Sequence, residues 1–125
     1  MTARRLLLID DAEDMRELAK LFLELDGEFE VETANDATSG LAAARARRPD
    51  AVLMDVMMPE IDGIAALGMI RADPALRDLP VILLSGTVRG PGSERLQGLD
   101  VRGVIAKPFD AAALASQVAA LIGGR

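Results

Sequence analysis

Short apolar runs alternate with helical patterns along the whole chain, which predicts parallel strands covered by helices. Most of the runs are apolar at consecutive positions, as in strands buried on both faces of a sheet. The predicted strands are Leu6–Ile9, Phe29–Thr33, Ala51–Asp55, Pro80–Leu84 and Val101–Ala106. The length of 125 residues is typical of one domain. The sequence therefore predicts a single α/β domain.

A helix is predicted after each strand. The first begins at Asp11 or Ala12 and ends by Gly27. Its predicted inward stripe consists of Met15, Leu18, Phe22 and Leu25. The next helices are predicted at Ala37–Arg47 and Ile64–Arg71, and a short fourth one at roughly Ser93–Gln97. The fourth is short because glycine and proline crowd the region before it.

The last helix is unusual because it has no charged residue from Ala111 to Ile122. Asp110 is its predicted N-cap. The predicted inner stripe is Leu114, Val118 and Leu121. The remaining small or apolar positions are Ala112, Ala115, Ala119 and Ile122. Two interpretations stay open for them, a surface for a partner or homodimer and a merely small, bland surface.

Charged and hydroxyl side chains stand where four of the apolar runs end. Asp10 and Asp11 follow the first run, and Asp55 ends the third. Ser85 and Lys107 follow the fourth and fifth runs. Because parallel strands place their carboxyl ends on one edge, three carboxylates, a hydroxyl and an ammonium are expected to meet there. This set favours a site for a divalent cation and a phosphoryl group.

Each of these residues alone also has a plainer interpretation. One of the two consecutive aspartates could be a helix N-cap while the other is solvated. A serine before glycine usually marks a turn, which is the plain interpretation of Ser85. Asp55 is harder to explain away, since it lies inside an apolar run and a buried carboxylate needs a cation or several donors.

Lysine is rare in this chain, and its two positions differ. Among the fourteen basic residues, lysine occurs only at Lys20 and Lys107. Lys20 lies on a charged helix face and is interpreted as solvated. Lys107 follows an apolar strand, where an ammonium suits a single phosphoryl oxygen. A lysine that merely extends its stem along a strand end is the alternative.

Composition excludes several classes of function. The net charge of −6 argues against nucleic acid as a direct partner, and 2% aromatic residues leave little for stacking. The absence of His rules out a phosphohistidine or a Ser-His triad on this chain. The absence of Cys suits a reducing compartment. With no signal peptide or membrane span in the sequence, we expect a cytoplasmic protein that does not bind a membrane.

Taken together, the motifs resemble the receiver domain of bacterial two-component response regulators. The matching blocks are Leu-Leu-Ile-Asp10-Asp11, Pro49-Asp50-Ala-Val-Leu-Met-Asp55-Val-Met-Met-Pro59 with Asp62-Gly63, Leu79-Pro80-Val-Ile-Leu-Leu-Ser85-Gly86, and Lys107-Pro108-Phe109. The resemblance covers essentially the whole chain. It implies a flavodoxin-like (βα)5 three-layer sandwich with the parallel sheet order 2-1-3-4-5, over residues 1–125 and with no output domain.

The resemblance also implies roles for individual residues. Asp55 would be the phosphoacceptor, and Asp11, Asp55 and the backbone carbonyl of Met57 would bind Mg²⁺, while Asp10 would act mainly through water. Lys107 would contact the phosphoryl group, through a cis Lys-Pro peptide, and Ser85 would be the switch hydroxyl. The phosphoryl donor would be a sensor histidine kinase or a histidine phosphotransfer protein. The chain would catalyse only its own phosphorylation and dephosphorylation, and its output would pass to a downstream partner or an effector domain on a longer chain.

Two departures from the family pattern keep an alternative open. Val104 stands three residues before Lys107, where the family usually has an aromatic ring that moves with the hydroxyl. The predicted fourth helix is short or mobile. A degenerate receiver that acts only as a protein-interaction module is therefore the alternative hypothesis. A phosphatase of the dehalogenase type would need an Asp where Met57 stands, and a flavodoxin would need ring-stacking aromatics.

Overall fold

The computed structural model describes residues 3–86 and 93–123, and it contains one five-stranded sheet. The strands are β1 (Arg4–Ile9), β2 (Phe29–Ala34), β3 (Ala51–Asp55), β4 (Val81–Ser85) and β5 (Gly103–Ala106). All neighbouring pairs are parallel, and the order is β2-β1-β3-β4-β5. The predicted class, orientation and strand order are confirmed.

Over the described residues, four α-helices and one short 3₁₀ helix accompany the sheet. They are α1 (Glu13–Glu24), α2 (Ala37–Ala46), α3 (Gly63–Ala72), the 3₁₀ turn (Ser93–Leu96) and α4 (Ala111–Ile122). The fourth of the five predicted helices is thus a single 3₁₀ turn, in agreement with the short helix predicted at this position. The preceding residues 87–92, which belong to the same predicted region, lie outside the described residues. None of the helices in the described part of the chain is long and apolar enough to cross a membrane.

The core has two halves, one on each face of the sheet. Alternate residues of β1 point to opposite faces, so Leu7 and Ile9 pack with α2 and α3. Leu6 and Leu8 pack with α1 and α4 on the other face. Because both faces are covered, β3 and β4 are buried at every position, whereas the edge strand β2 alternates between buried and exposed residues. The two halves and the sheet between them form the three-layer sandwich that the family resemblance implied.

The buried face of α1 differs from the predicted stripe. Leu18 and Leu25 are 41% and 69% exposed, whereas Ala19 and Leu23 are fully buried against the sheet. The prediction is wrong because apolar residues occur on more than one face of α1, and the small Ala19 carries little weight in a hydrophobic pattern. Leu21 is exposed as well.

Lys20 has an exposed side chain, as the sequence indicated, but it also makes a backbone contact that the sequence did not reveal. Its Nζ donates a hydrogen bond to the Val31 carbonyl at 2.7 Å, and Glu24 accepts one from the Val31 N–H at 2.8 Å. Both polar backbone groups of Val31 are therefore satisfied by side chains of α1. Since β2 is an edge strand, these contacts shield part of a free strand edge from pairing with another chain.

The prediction for α4 is confirmed in its cap and in most of its inner face. The Asp110 carboxylate accepts a hydrogen bond from the Ala112 N–H, and Leu114 and Val118 are buried. The predicted outer surface is largely wrong, however. Three of its four residues, Ala115, Ala119 and Ile122, pack against the core half that α4 shares with α1. Ala112 is exposed and the other three residues are partly buried, so a homodimer through this surface stays a prediction.

We expect the buried Leu23 of α1 and the exposed Leu25 at its C-cap to contribute differently to the free energy of unfolding. Leu23→Ala should lower the free energy of unfolding by about 2–5 kcal/mol, because it leaves a cavity against the sheet. Leu25→Ala removes the same atoms from an exposed position and should change it by less than about 0.5 kcal/mol. Urea unfolding of both variants measures the difference. Equal losses would contradict the burial of this helix as described.

Candidate functional site

The ends of four strands bring the predicted site residues to one edge of the sheet. Asp10 directly follows β1, Asp55 and Ser85 end β3 and β4, and Lys107 directly follows β5. The carboxylate oxygens of Asp10, Asp11 and Asp55 lie within 4.8 Å of one another. The convergence of carboxylates, ammonium and hydroxyl at the carboxyl edge, which the sequence predicts, is therefore present in the structure.

Asp55 is a buried carboxylate with few partners. Only 4% of the residue is exposed, because β3 lies in the middle of the sheet. One carboxylate oxygen accepts a long hydrogen bond, 3.4 Å, from the Met57 N–H. The other lies 3.2 Å from Nζ of Lys107. The side chain of Met57 is exposed, and Met57 contacts Asp55 through its backbone N–H.

Asp10 and Asp11 have different environments although they are adjacent. Asp10 is 1% exposed, and one of its carboxylate oxygens accepts a hydrogen bond from the Ala12 N–H at 3.0 Å. Asp11 is exposed. Neither is the helix N-cap, because Ala12 occupies that position. The plainer interpretation, in which one aspartate caps the helix and the other is solvated, is therefore wrong about the capping residue. It is right that one of the two, Asp11, is exposed.

Lys107 joins the two buried carboxylates and is held by the backbone of β4. Its Nζ lies 3.5 Å from Asp10 and 3.2 Å from Asp55. Its N–H donates a hydrogen bond to the Ser85 carbonyl at 2.8 Å, which fixes the end of β5 beside the end of β4. The Lys107–Pro108 peptide is cis, as the family resemblance implied. Ser85 is buried at the same edge.

The charges of this site do not balance. Burial raises the pKa of Asp55 above its ordinary value, the nearby Asp10 raises it further, and Lys107 acts in the opposite direction. Among the described residues, Lys107 is the ammonium that contacts this cluster of three carboxylates. A divalent cation at this place would supply the missing positive charge, and oxygen ligands of this kind suit a hard cation such as Mg²⁺. The donor set fits such an ion, with Asp10, Asp11 and Asp55 as the residues that could hold it.

The loop after Asp55 depends on a glycine whose role the sequence did not reveal. Gly63 begins α3, and its N–H donates a hydrogen bond to the Val56 carbonyl at 2.8 Å. A Cβ atom at this position would overlap the Asp55 carbonyl oxygen and lie 2.9 Å from Cα of Val56. Gly63 thus allows α3 to approach the backbone of Asp55. The sequence indicates only a turn here, since a close approach of two backbones leaves no mark beyond the glycine itself.

Val104 lies away from the carboxylates. It is partly buried, pairs in register with Leu83 of β4, and packs against the core half that contains α2 and α3. It also lines an open groove of about 500 Å³ between β5 and α4. The structure thus places a small aliphatic side chain at the position where the family resemblance implied a moving aromatic ring.

Known proteins resemble this chain along nearly its whole length. The family model of the response regulator receiver domain matches residues 6–119. Response regulator Rre1 of Synechocystis is 38% identical over 107 residues, which are 84% of this chain and 46% of that protein. Transcriptional regulatory protein CseB of Streptomyces avermitilis is 38% identical over 118 residues, which are 93% of this chain and 48% of that protein. The chain spans about half the length of these curated relatives.

Solved structures show the same likeness. The receiver domain of sensor histidine kinase PA1611 from Pseudomonas aeruginosa, solved with a magnesium ion coordinated in its active site cleft, superimposes with a TM-score of 0.86 at 28% identity, over 98% of this chain and 100% of that one. Chemotaxis response regulator CheY4 of Vibrio cholerae gives a TM-score of 0.86 at 26% identity, over 96% and 99% of the two chains.

Removal of the Asp55 charge should stabilise the metal-free fold at neutral pH. Because the folded state raises the pKa of Asp55, it holds that proton more tightly than the unfolded state, and stability is lost as pH rises through the raised pKa. Asp55→Asn should therefore raise the free energy of unfolding on the order of 1 kcal/mol at pH 7. The gain should shrink as pH falls and Asp55 becomes protonated. Thermal unfolding with a chelator from pH 7 to pH 4 measures this, and a gain that grows toward low pH would contradict the assigned charge imbalance.

Two glycines of α3 should respond to alanine in opposite directions. Gly63→Ala should destabilise the protein by about 1–3 kcal/mol, because the added methyl group collides with the backbone of Asp55 and Val56. Gly68→Ala should stabilise it by about 0.5–1 kcal/mol, since nothing lies within 4 Å of its added Cβ and alanine favours a helix. Urea unfolding provides both values. A Gly63→Ala variant as stable as the wild type would refute the close approach.

Proposed function

The chain belongs to the response regulator receiver domain family of two-component systems, and on that premise we propose that it accepts a phosphoryl group on Asp55 in a Mg²⁺-dependent reaction. Phosphorylation would then change the surface that the domain offers to a downstream partner. The observation that carries the proposal is the buried Asp55 carboxylate in contact with Lys107, within a cluster of three carboxylates. A carboxylate in this setting can act as a nucleophile toward phosphorus.

In the proposed reaction, a carboxylate oxygen of Asp55 attacks the phosphorus atom, and the bond from phosphorus to the donor breaks. The donor departs with the electron pair of that bond, so Asp55 gains a phosphoryl group and no redox partner is needed. Lys107 lies within 3.2 Å of the nucleophile and is placed to neutralise a phosphoryl oxygen. Mg²⁺, when bound, would neutralise further charge on the transferring group. Ser85, at the end of the neighbouring strand, would offer its hydroxyl to the product.

The proposed metal ligands are Asp11, Asp55 and the backbone carbonyl of Met57, with Asp10 acting mainly through water. The exposure of Asp11 and the burial of Asp10 against Lys107 support this division. The position of Met57, two residues after Asp55 on the same loop, supports its part as well. Beyond phosphorylation and dephosphorylation of its own aspartate, we propose no catalytic activity for the chain.

The proposed donor is a sensor histidine kinase or a histidine phosphotransfer protein, because these 125 residues contain no histidine that could carry the phosphoryl group. The proposed receiver of the signal is a downstream protein or an effector domain, with a homodimer as a further arrangement. Relatives such as CseB are transcriptional regulators of about twice this length, whereas PA1611 is a kinase. The identity of the effector therefore does not transfer from them. A cytoplasmic location and the lack of direct binding to nucleic acid stay predictions.

A degenerate receiver that serves only as an interaction module is the second candidate. Val104 and the short 3₁₀ turn favour it, since both depart from the family's usual switch. The complete set of carboxylates with Lys107 in place favours the phosphoacceptor. The two candidates differ in one observable, which is whether Asp55 forms a covalent phosphoryl adduct.

We expect the chain to gain the mass of one phosphoryl group when it is incubated with Mg²⁺ and acetyl phosphate. Intact mass spectrometry and a phosphate-affinity gel measure this adduct. It should be absent without Mg²⁺ and in Asp55→Asn. Asp26→Asn, which changes an exposed aspartate outside the cluster, is the matched control and should react like the wild type. A wild-type chain that forms no adduct, or an Asp55→Asn variant that still forms it, would overturn the phosphoacceptor proposal.

A further inference from the structure

An ion pair connects the 3₁₀ turn to the loop that follows the proposed phosphoacceptor. A guanidinium nitrogen of Arg95 lies 2.7 Å from one carboxylate oxygen of Asp62. The other oxygen accepts a hydrogen bond from the Ala65 N–H at 2.8 Å and caps α3. These two contacts lower the pKa of Asp62, the bond from Ala65 more strongly, so the carboxylate stays ionised and available to Arg95.

The two segments that this ion pair connects follow β3 and β4, the strands that end in Asp55 and Ser85. The loop 56–62 begins directly after Asp55 and ends at Asp62, and the Gly63 bond to the Val56 carbonyl closes its base. The 3₁₀ turn belongs to the segment that follows Ser85. Arg95 therefore ties the segment after the proposed switch hydroxyl to the segment after the proposed phosphoacceptor.

Apolar residues of the same two segments are anchored to one core cluster independently of the ion pair. Leu96 of the 3₁₀ turn is partly buried against the core half that contains α2 and α3. Met58 and Ile61 of the loop belong to that same cluster or pack against it. The ion pair thus contacts the turn and the loop directly, and both segments also pack against one core cluster. A change in the position of either segment is expected to affect the other.

We propose that Arg95 is a positioning residue of the site. Its ion pair with Asp62 holds the loop 56–62 in the arrangement that binds the cation, and it makes the order of the 3₁₀ turn depend on whether the site is occupied. This inference rests on the proposed function. Coupling between two sites is reciprocal, so a contact that favours cation binding must also be strengthened by it. Such a route would not need the aromatic ring that Val104 replaces.

The simpler interpretation is an exposed ion pair with no effect on the site, since such pairs commonly contribute little. The chain offers a matched control for it. Arg45 pairs with Asp73 at 2.8 Å, and Asp73 also accepts a hydrogen bond from a backbone N–H. The side chains of Arg45 and Arg95 are both 51% exposed. The control pair joins α2 to the segment after α3 and includes none of the site residues.

The direction of the effect separates positioning from long-range charge. Arg95→Gln removes a positive charge from the neighbourhood of a cation site, and electrostatics alone would make Mg²⁺ bind more tightly. Positioning predicts the opposite, a loss of Mg²⁺ affinity of roughly two- to fivefold, the range that an exposed ion pair commonly supplies. Arg95→Lys keeps the charge and should restore part of the affinity.

Mg²⁺ titration calorimetry and hydrogen exchange of residues 94–98, each carried out on the full chain with Mg²⁺ as the ligand, test this inference. In the wild type and in Arg45→Gln, Mg²⁺ should slow exchange at the Gln97 amide, which donates a hydrogen bond to the Glu94 carbonyl. In Arg95→Gln, affinity should fall and the Mg²⁺-dependent protection should disappear. Melting temperatures without metal should shift equally and slightly in both Gln variants.

Three results would overturn the inference. Affinity in Arg95→Gln that equals or exceeds the wild-type value is one, and protection that persists in this variant is another. The third is a loss of Mg²⁺ affinity in Arg45→Gln as large as that in Arg95→Gln, which would show that any surface ion pair has the same effect. If one of these results appears while the wild type still gains a phosphoryl group from acetyl phosphate, the positioning role fails and the proposed function stands. A wild type that neither binds Mg²⁺ nor forms the adduct would overturn both.

Discussion

The shortage of positive charge around Asp55 is the constraint on which the rest of the site depends. Three carboxylates lie within 4.8 Å of one another, and Lys107 is the ammonium that contacts Asp10 and Asp55. Burial and the neighbouring Asp10 raise the pKa of Asp55 against the opposing effect of Lys107, so its ionised form is less favourable than that of an ordinary aspartate. The three carboxylates nevertheless stay close together, because the ends of β1 and β3 fix their positions. The same shortage would make the site receptive to a divalent cation and to a phosphoryl group held by that cation.

The fold places these charges by means of its strands and tight loops. Parallel strands end at one edge of the sheet, where β1 is followed by Asp10 and Asp11, β3 and β4 end in Asp55 and Ser85, and β5 is followed by Lys107. Gly63 brings α3 against the backbone of Asp55, and the Lys107 N–H holds the end of β5 beside Ser85. The carboxylates are therefore held by backbone contacts. In our proposal, exposed side chains at the rim of the site, such as Arg95, position the loops around these carboxylates.

The sequence predicts the sheet and the site edge well, because both depend on patterns that are local in the chain. A run of apolar residues marks a buried strand, and the polar residue that ends the run marks the edge. The buried face of α1 is predicted wrongly, because leucines on several faces hide the two positions, Ala19 and Leu23, that the sheet selects. The contacts of Lys20 with Val31 and of Arg95 with Asp62 join segments far apart in the chain. Charged residues of this kind look solvated in any sequence, and only the folded arrangement reveals their partners.

The central claim is that Asp55 shares a cation with its neighbouring carboxylates and must be ionised to do so. Calorimetric titration with Mg²⁺ in buffers of different ionisation enthalpy tests it most directly, because such a series counts the protons released on binding. As pH falls from neutral toward the raised pKa of Asp55, the claim predicts weaker binding and an increasing release of protons in the wild type, and no such release in Asp55→Asn. Mg²⁺ affinity that is independent of pH, or equal in the wild type and Asp55→Asn, would contradict it.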